Sequence, residues 1–261
     1  MPLKKLQLEI KKLANPKKAK ILMRFFKTGK GQYGEGDKFL GIVVPKQREL
    51  VKKYWHNLTL ADLDILIKSN IHEERLIALL ILVTKYQNNL SSSGQSRGSM
   101  DSRLRGNDKK VIFKFYLSHT KYINNWDLVD LSAPNIVGSY LYSLSLEGRG
   151  AGVRVKNKTL KKLAKSKNLW QRRISILATF SFIKQGQTKD TIALAKILLK
   201  DKHDLIQKAV GWMLREMGKR CGERKLTNFL NTNALKMPRT ALRYAIERLP
   251  KKQRLHYLHL I

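Results

Sequence analysis

The sequence predicts an all-α fold, a solenoid of stacked helix pairs, from three observations. Apolar residues recur at three- and four-residue spacing through most of the 261 residues, with only 6 prolines to interrupt them. No segment alternates apolar and polar residues as a half-buried strand would. Four segments share one design, a basic or polar residue leading a compact apolar run: RLIALLILVTKY from 75, RRISILATFSFI from 172, IQKAVGWMLREMGKR from 206 and PRTALRYAIERL from 238. Aligned on Arg173, Lys208 and Thr240, the last three recur every 32 to 35 residues, the period of stacked helix pairs.

In chain order, the opening MPLKKLQLEIKKLANPKKAK lacks the apolar core of a signal peptide. Residues 29–50, GKGQYGEGDKFLGIVVPKQREL, read as a glycine-rich loop entering a helix with Pro45 in its first turn. The loop lacks the Gly-Lys-Ser/Thr ending of a phosphate-binding loop, so a nucleotide site is not expected; backbone amides meeting a nucleic-acid phosphate are the functional alternative. HEER at 72–75 opens like a zinc-protease helix, but Leu76 stands where the second histidine is needed. The tract 88–110, NNLSSSGQSRGSMDSRLRGNDKK, is expected to be a disordered or loop insertion, and its MDSRLRGND resembles a translated mobile element. Residues 147–157, EGRGAGVRVKN, read as a glycine-rich loop. Helical pattern resumes after both tracts, so 1–261 is expected to form a single repeat domain.

Charge narrows the partners. The chain holds 53 Lys and Arg against 19 Asp and Glu, a formal charge of +34, which is most easily understood if the partner is a polyanion. Nucleic acid is the first candidate. Anionic membrane is the second, but no run of 18 apolar residues occurs and no membrane association is expected. One cysteine, Cys221, excludes an internal disulfide, and the six histidines form no ligand spacing. No metal or other cofactor is expected, and the reading is of a cytoplasmic, nucleoid-associated monomer.

The leading cations of the repeated segments would form a stripe along a concave face: Arg75, Arg173, Lys208, Arg239 and Arg243, with Arg215 beside them. Solvated surface charge is the alternative for any one of these. Of the four tryptophans, Trp55 and Trp170 read as core. Trp212 follows a glycine among charged residues and suits an exposed face. Trp126 opens an acidic island, YINNWDLVDLSAP at 122–134. Asn124 or Asn125 could cap a helix there, with Asp127 and Asp130 in its first turn, where the macrodipole favours carboxylates. The alternative is a carboxylate held beside an indole to receive a cationic ligand.

Four blocks in order, YINNWDLVDLSAPNIVG, LAKSKNLWQRRISILATFSFI, DKHDLIQKAVGWMLREMGKR and KMPRTALRYAIERLP, resemble the DNA alkylation repair family of AlkD-like DNA glycosylases, built from HEAT-like repeats. The resemblance extends from MRFFK and YGEGDKFLG over nearly the whole chain. It implies a superhelical HEAT-like solenoid that binds double-stranded DNA with alkylated bases and removes positively charged N3- or N7-alkylpurines without a cofactor. It also implies that Asp130 stabilises the developing oxocarbenium sugar or positions the attacking water, that Trp126 and Trp212 line the deoxyribose, and that Arg173 lies beside the lesion phosphate. Where the family has a tyrosine in its first helical block, this chain has Phe25. Relatives with the same fold bind branched or distorted DNA without catalysis, which is the rival expectation.

Overall fold

The computed structural model describes residues 1–91, 101–147 and 150–260, the side chains at 89–91 and 101–107 excepted. The described residues are helical nearly throughout, with one isolated bridge between Lys38 and Ile71. The chain divides into two compact units, Met1–Ser132 and Ala133–Ile261.

The first unit holds α1 (Pro2–Lys12), α2 (Pro16–Phe25), α3 (Val44–Tyr54), α4 (Leu60–Ile67), α5 (His72–Ser91), α6 (Asp101–Ser118) and α7 (Trp126–Ala133), which reaches the boundary. Helix starts follow local chemistry. Proline occupies the first turn of α1, α2 and α3, where its missing N–H is not needed. Asn15 caps α2 by accepting the Lys18 amide at 3.0 Å, and Thr59 and Asp62 form a reciprocal capping box on α4. Helix α5 is the core of this unit: Leu76, Ile77, Ala78, Leu79, Ile81 and Leu82 are all at most 1% exposed, and it packs against α3, α4 and α6. Glu9 ties α1 to α3 by accepting from Lys53 at 2.6 Å and from the Tyr54 hydroxyl at 2.8 Å.

The second unit begins with a π-helical turn, Pro134–Gly138, followed by α8 (Ser139–Glu147), α9 (Ala151–Ala164), α10 (Leu169–Lys184), α11 (Lys189–Leu198), α12 (Asp204–Cys221) and α13 (Glu223–Asn233). A 3-10 turn, Ala234–Lys236, then leads to α14 (Arg239–Ile246) and α15 (Lys251–His259). The repeated segments found in the sequence are α10, α12 and α14, and α12 packs against both of the others. Gly211 permits the approach of α12 to α14: a β-carbon there would press on the Ala241 carbonyl and lie 2.5 Å from the Tyr244 Cβ. Trp170 is buried, as its reading as core requires, whereas Trp55 is half-buried beside Lys85.

Two loop expectations are corrected. Helix α5 runs on to Ser91 and α6 begins at Asp101, so both ends of the 88–110 tract are helical; residues 92–100 lie outside the described residues. Helix α9 begins at Ala151, which makes most of 147–157 helical; residues 148–149 lie outside the described residues.

Candidate active site

The island at 122–134 is a capped helix, as its asparagines suggest. Asn125 accepts the Trp126 amide on its side chain at 2.8 Å, and its carbonyl accepts the Val129 amide at 3.2 Å, starting α7. Trp126 and Asp130 are four residues apart and so share one face of α7. Both are half-buried. The indole stacks on Phe26 (5.1 Å, 22°) and meets Phe25 edge-on (5.8 Å, 73°). Phe25 is 61% exposed, so an aromatic wall stands at the surface. Lys17, Lys18, Lys20 and Arg24 are exposed along α2, and Lys27 is exposed just after it. Burial pushes the Tyr116 phenol far above its ordinary range; the Ser132 hydroxyl opposes this and the charge of Asp130 adds to it.

Asp127 stands in the first turn of α7, where its Oδ1 accepts the Leu128 amide at 2.8 Å, and it does more than the helix-end electrostatics expected of it. It is buried, with its Oδ2 2.8 Å from His72 Nε2. The other imidazole nitrogen lies 3.3 Å from Asp37 Oδ2, and Arg75 Nη2 approaches that same oxygen at 2.7 Å. Asn124 and Asn125 donate to Asp37 at 3.4 and 3.5 Å. Two buried carboxylates thus face an imidazole and a guanidinium. Burial alone would lower the His72 pKa, but hydrogen bonds to Asp127 and Asp37 outweigh it and the net direction is up, despite the nearby charge of Arg75. Burial would raise the Asp37 carboxyl, but His72 and Arg75 carry it below its ordinary range.

The next residue of α5 holds the glycine-rich loop. Glu73 Oε1 accepts the amides of Leu40, Gly41 and Ile42 at 3.1, 2.8 and 3.2 Å. Gly41 has φ 84° and packs so closely on α2 that a β-carbon would lie 2.6 Å from the Ala19 nitrogen, so only glycine fits. These amides are satisfied internally, which removes residues 40–42 from the alternative of phosphate contact.

This hub corrects one member of the basic stripe. Arg75 is 3% exposed, and besides Asp37 it serves the Ser69 carbonyl at 2.8 Å. A guanidinium so enclosed holds the fold and does not face a solvent-borne phosphate. Sequence reasoning missed His72 and Asp37. The available signal was HEER running straight into LIALLILV: a helix apolar all round leaves its leading charges no solvated face, so they need buried partners.

In the second unit, Arg173 stands on α10. It is 5% exposed, and its Nη1 donates to the Leu205 carbonyl at 2.5 Å, tying α10 to the start of α12. Trp212 is half-buried on α12, with Phe180 of α10 6.5 Å away. Phe180 also carries the Lys184 ammonium at 4.7 Å and the Arg220 guanidinium at 5.2 Å from its ring centre. Lys208 pairs with Asp204 one turn earlier at 2.9 Å, and Arg215 pairs with Glu247, linking α12 to the end of α14. Arg239 and Arg243 are exposed on α14, where Arg239 Nη1 donates to the Leu258 carbonyl at 2.8 Å. Trp126 and Asp130 therefore belong to the first unit, and Lys208, Trp212, Arg215, Arg239 and Arg243 to the second. Among the described residues no group of three or more His, Cys, Asp or Glu could hold a metal ion, and no helix is long and apolar enough to cross a membrane.

Comparison with known proteins agrees with this architecture. No curated protein matches the chain. Among solved structures, a protein of Enterococcus faecalis described as a predicted DNA alkylation repair enzyme superposes with a TM-score of 0.62 at 17% identity, over 91% of this chain and 97% of that one. At that identity the likeness speaks for the fold. The sequence pattern described as DNA alkylation repair enzyme matches residues 6–249, and the chain belongs to that family.

Proposed function

We propose that this chain is a DNA glycosylase that hydrolyses the N-glycosidic bond of positively charged N3- and N7-alkylated purines in duplex DNA. The observation that carries the reading is the pairing of Trp126 and Asp130 on one face of α7, against the exposed Phe25, in a chain of the DNA alkylation repair family. An alkylated purine carries its own positive charge. When the bond from C1′ to the base nitrogen breaks, its electron pair goes to the purine, which leaves neutral, so no strong general acid is needed. The sugar passes through an oxocarbenium-like state that a carboxylate and an indole face both favour. A water oxygen then bonds to C1′ and its proton goes to Asp130 or to solvent, leaving free alkylpurine and an abasic site.

Trp126 and Asp130 are the groups proposed to meet the lesion sugar, with Trp212 as the second tryptophan. Lys208, Arg215, Arg239 and Arg243 are proposed to hold phosphates, supported by their place on the repeated helices and by the charge of +34. The test is release of 7-methylguanine or 3-methyladenine from methylated duplex DNA. Wild type releases base, and Asp130→Asn slows release by roughly 100-fold, the loss typical of removing one electrostatic stabiliser of a transition state. No release by wild type, or equal release by both, overturns the proposal.

A further inference from the structure

We infer that His72 is a positioning residue for Trp126 and Asp130, setting through Asp127 the rotation at which α7 presents them. The inference rests on the glycosylase reading for its functional meaning, and on geometry alone for the positioning. Asp127 follows Trp126 directly and precedes Asp130 by three residues. Each helical residue turns by about 100°, so an anchor at Asp127 fixes the direction of both. That anchor is rigid: the imidazole is 1% exposed and hydrogen-bonded at both nitrogens, to Asp127 at 2.8 Å and to Asp37 at 3.3 Å.

A second connection runs through the rings. Phe39 stacks on the imidazole at 4.3 Å and Phe26 leans on it at 5.1 Å. Phe26 in turn stacks on the Trp126 indole at 5.1 Å, so His72 acts on α7 through both Asp127 and the indole.

The charged groups facing His72 are Asp37 from the loop, Asp127 from α7 and Arg75 from its own helix. With the imidazole protonated, two carboxylates face two cations. A neutral imidazole has one N–H and can donate to only one of the two carboxylates. Deprotonation therefore releases either the grip on Asp127 or the support from Asp37, and α7 gains freedom to turn.

The test reads Trp126 without using catalysis. The full chain is labelled with 5-fluorotryptophan, and the Trp126 fluorine resonance is assigned by its loss in Trp126→Phe. In His72→Gln and in Asp127→Asn the Trp126 resonance shifts while that of Trp170 does not, with far-UV circular dichroism unchanged. In wild type the Trp126 resonance moves as pH rises through the raised pKa of His72, and in His72→Gln it does not. Base release at saturating DNA falls by roughly tenfold or more in both variants while DNA affinity stays within about twofold, the signature of a misplaced reacting group.

An unmoved Trp126 resonance in folded variants, or a loss of release fully explained by weaker DNA binding, overturns the inference. Asp127→Asn preserves side-chain volume and carries the test if His72→Gln fails to fold. A shifted Trp126 resonance in a protein whose wild type releases no base sinks the glycosylase reading and leaves the positioning role standing.

Discussion

Replacing Arg75 by alanine removes a guanidinium that sits 2.7 Å from Asp37 and donates to the Ser69 carbonyl at 2.8 Å. The Arg75 and Asp37 side chains are each 4% exposed, so water does not take the place of the lost donors. Deleting one partner of a buried pair lowers stability by roughly 3–5 kcal/mol. Asp37 keeps His72 at 3.3 Å, which puts the expected loss at the lower end of that range, about 3 kcal/mol. Against a domain stability of about 5–15 kcal/mol this is a large fraction.

Urea unfolding followed by circular dichroism measures it, on wild type, Arg75→Ala and the double variant Asp37→Asn/Arg75→Met. The double variant, which removes both charges and restores apolar bulk, recovers much of the loss. A loss below about 1 kcal/mol in Arg75→Ala, the value of an exposed ion pair, would refute the burial argument. The variant also separates fold from interface. If Arg75 only holds the fold, the slope of log affinity for DNA against log salt stays as in wild type, whereas loss of a phosphate contact lowers it by about 1.

Arg239→Ala and Arg243→Ala should each lower that salt slope by about 1, measured by fluorescence anisotropy on duplex DNA; an unchanged slope removes the residue from the proposed interface. Gly211→Val should destabilise the second unit by about 1–3 kcal/mol or more in urea, because the side chain has to displace the Ala241 backbone; wild-type stability would show that α12 and α14 are looser than described. Stability of the first unit should fall at both ends of the pH range. Asp37, with its pKa depressed from 3.8, contributes above that value and loses the contribution as pH falls through the folded pKa. His72, with its pKa raised from 6.5, contributes fully below that value and loses the contribution as pH rises through the folded pKa. Urea midpoints across pH check this, and His72→Gln should flatten the alkaline side and, because it removes a hydrogen bond that depresses Asp37, weaken the acid side as well.

The helices were legible because their signal is local. Three- and four-residue spacing located α5, α10, α12 and α14, and Asn125 announced the start of α7. What the sequence concealed depends on partners far along the chain. Asp37 meets His72 across 35 residues, Asp127 meets it across 55, and Arg173 meets Leu205 across 32. The apolar run after HEER marks leading charges that need buried partners but does not name those partners, so Arg75 and Arg173 were read with Arg239 as one stripe. The glycine-poor ends of the 88–110 tract were misread for a related reason: composition averaged over the tract hid the helix-forming residues beside α5 and within α6. Trp126 and Asp130 were singled out as an acidic, aromatic island and given their expected role by the family resemblance, whereas the hydrogen bonds beneath them needed coordinates.

The buried carboxylates change how the molecule meets a charged column or polymer. Among the described residues, Asp37, Glu73, Glu74 and Asp127 are enclosed, four of the 19 acids in the sequence, against three of its 53 basic residues, Arg75, Lys156 and Arg173. Folding thus withdraws acid from the exterior more than it withdraws base. The native chain should elute from a cation exchanger at higher salt than the same chain in urea, and a polyanion that favours the native exterior stabilises the fold simply by mass action.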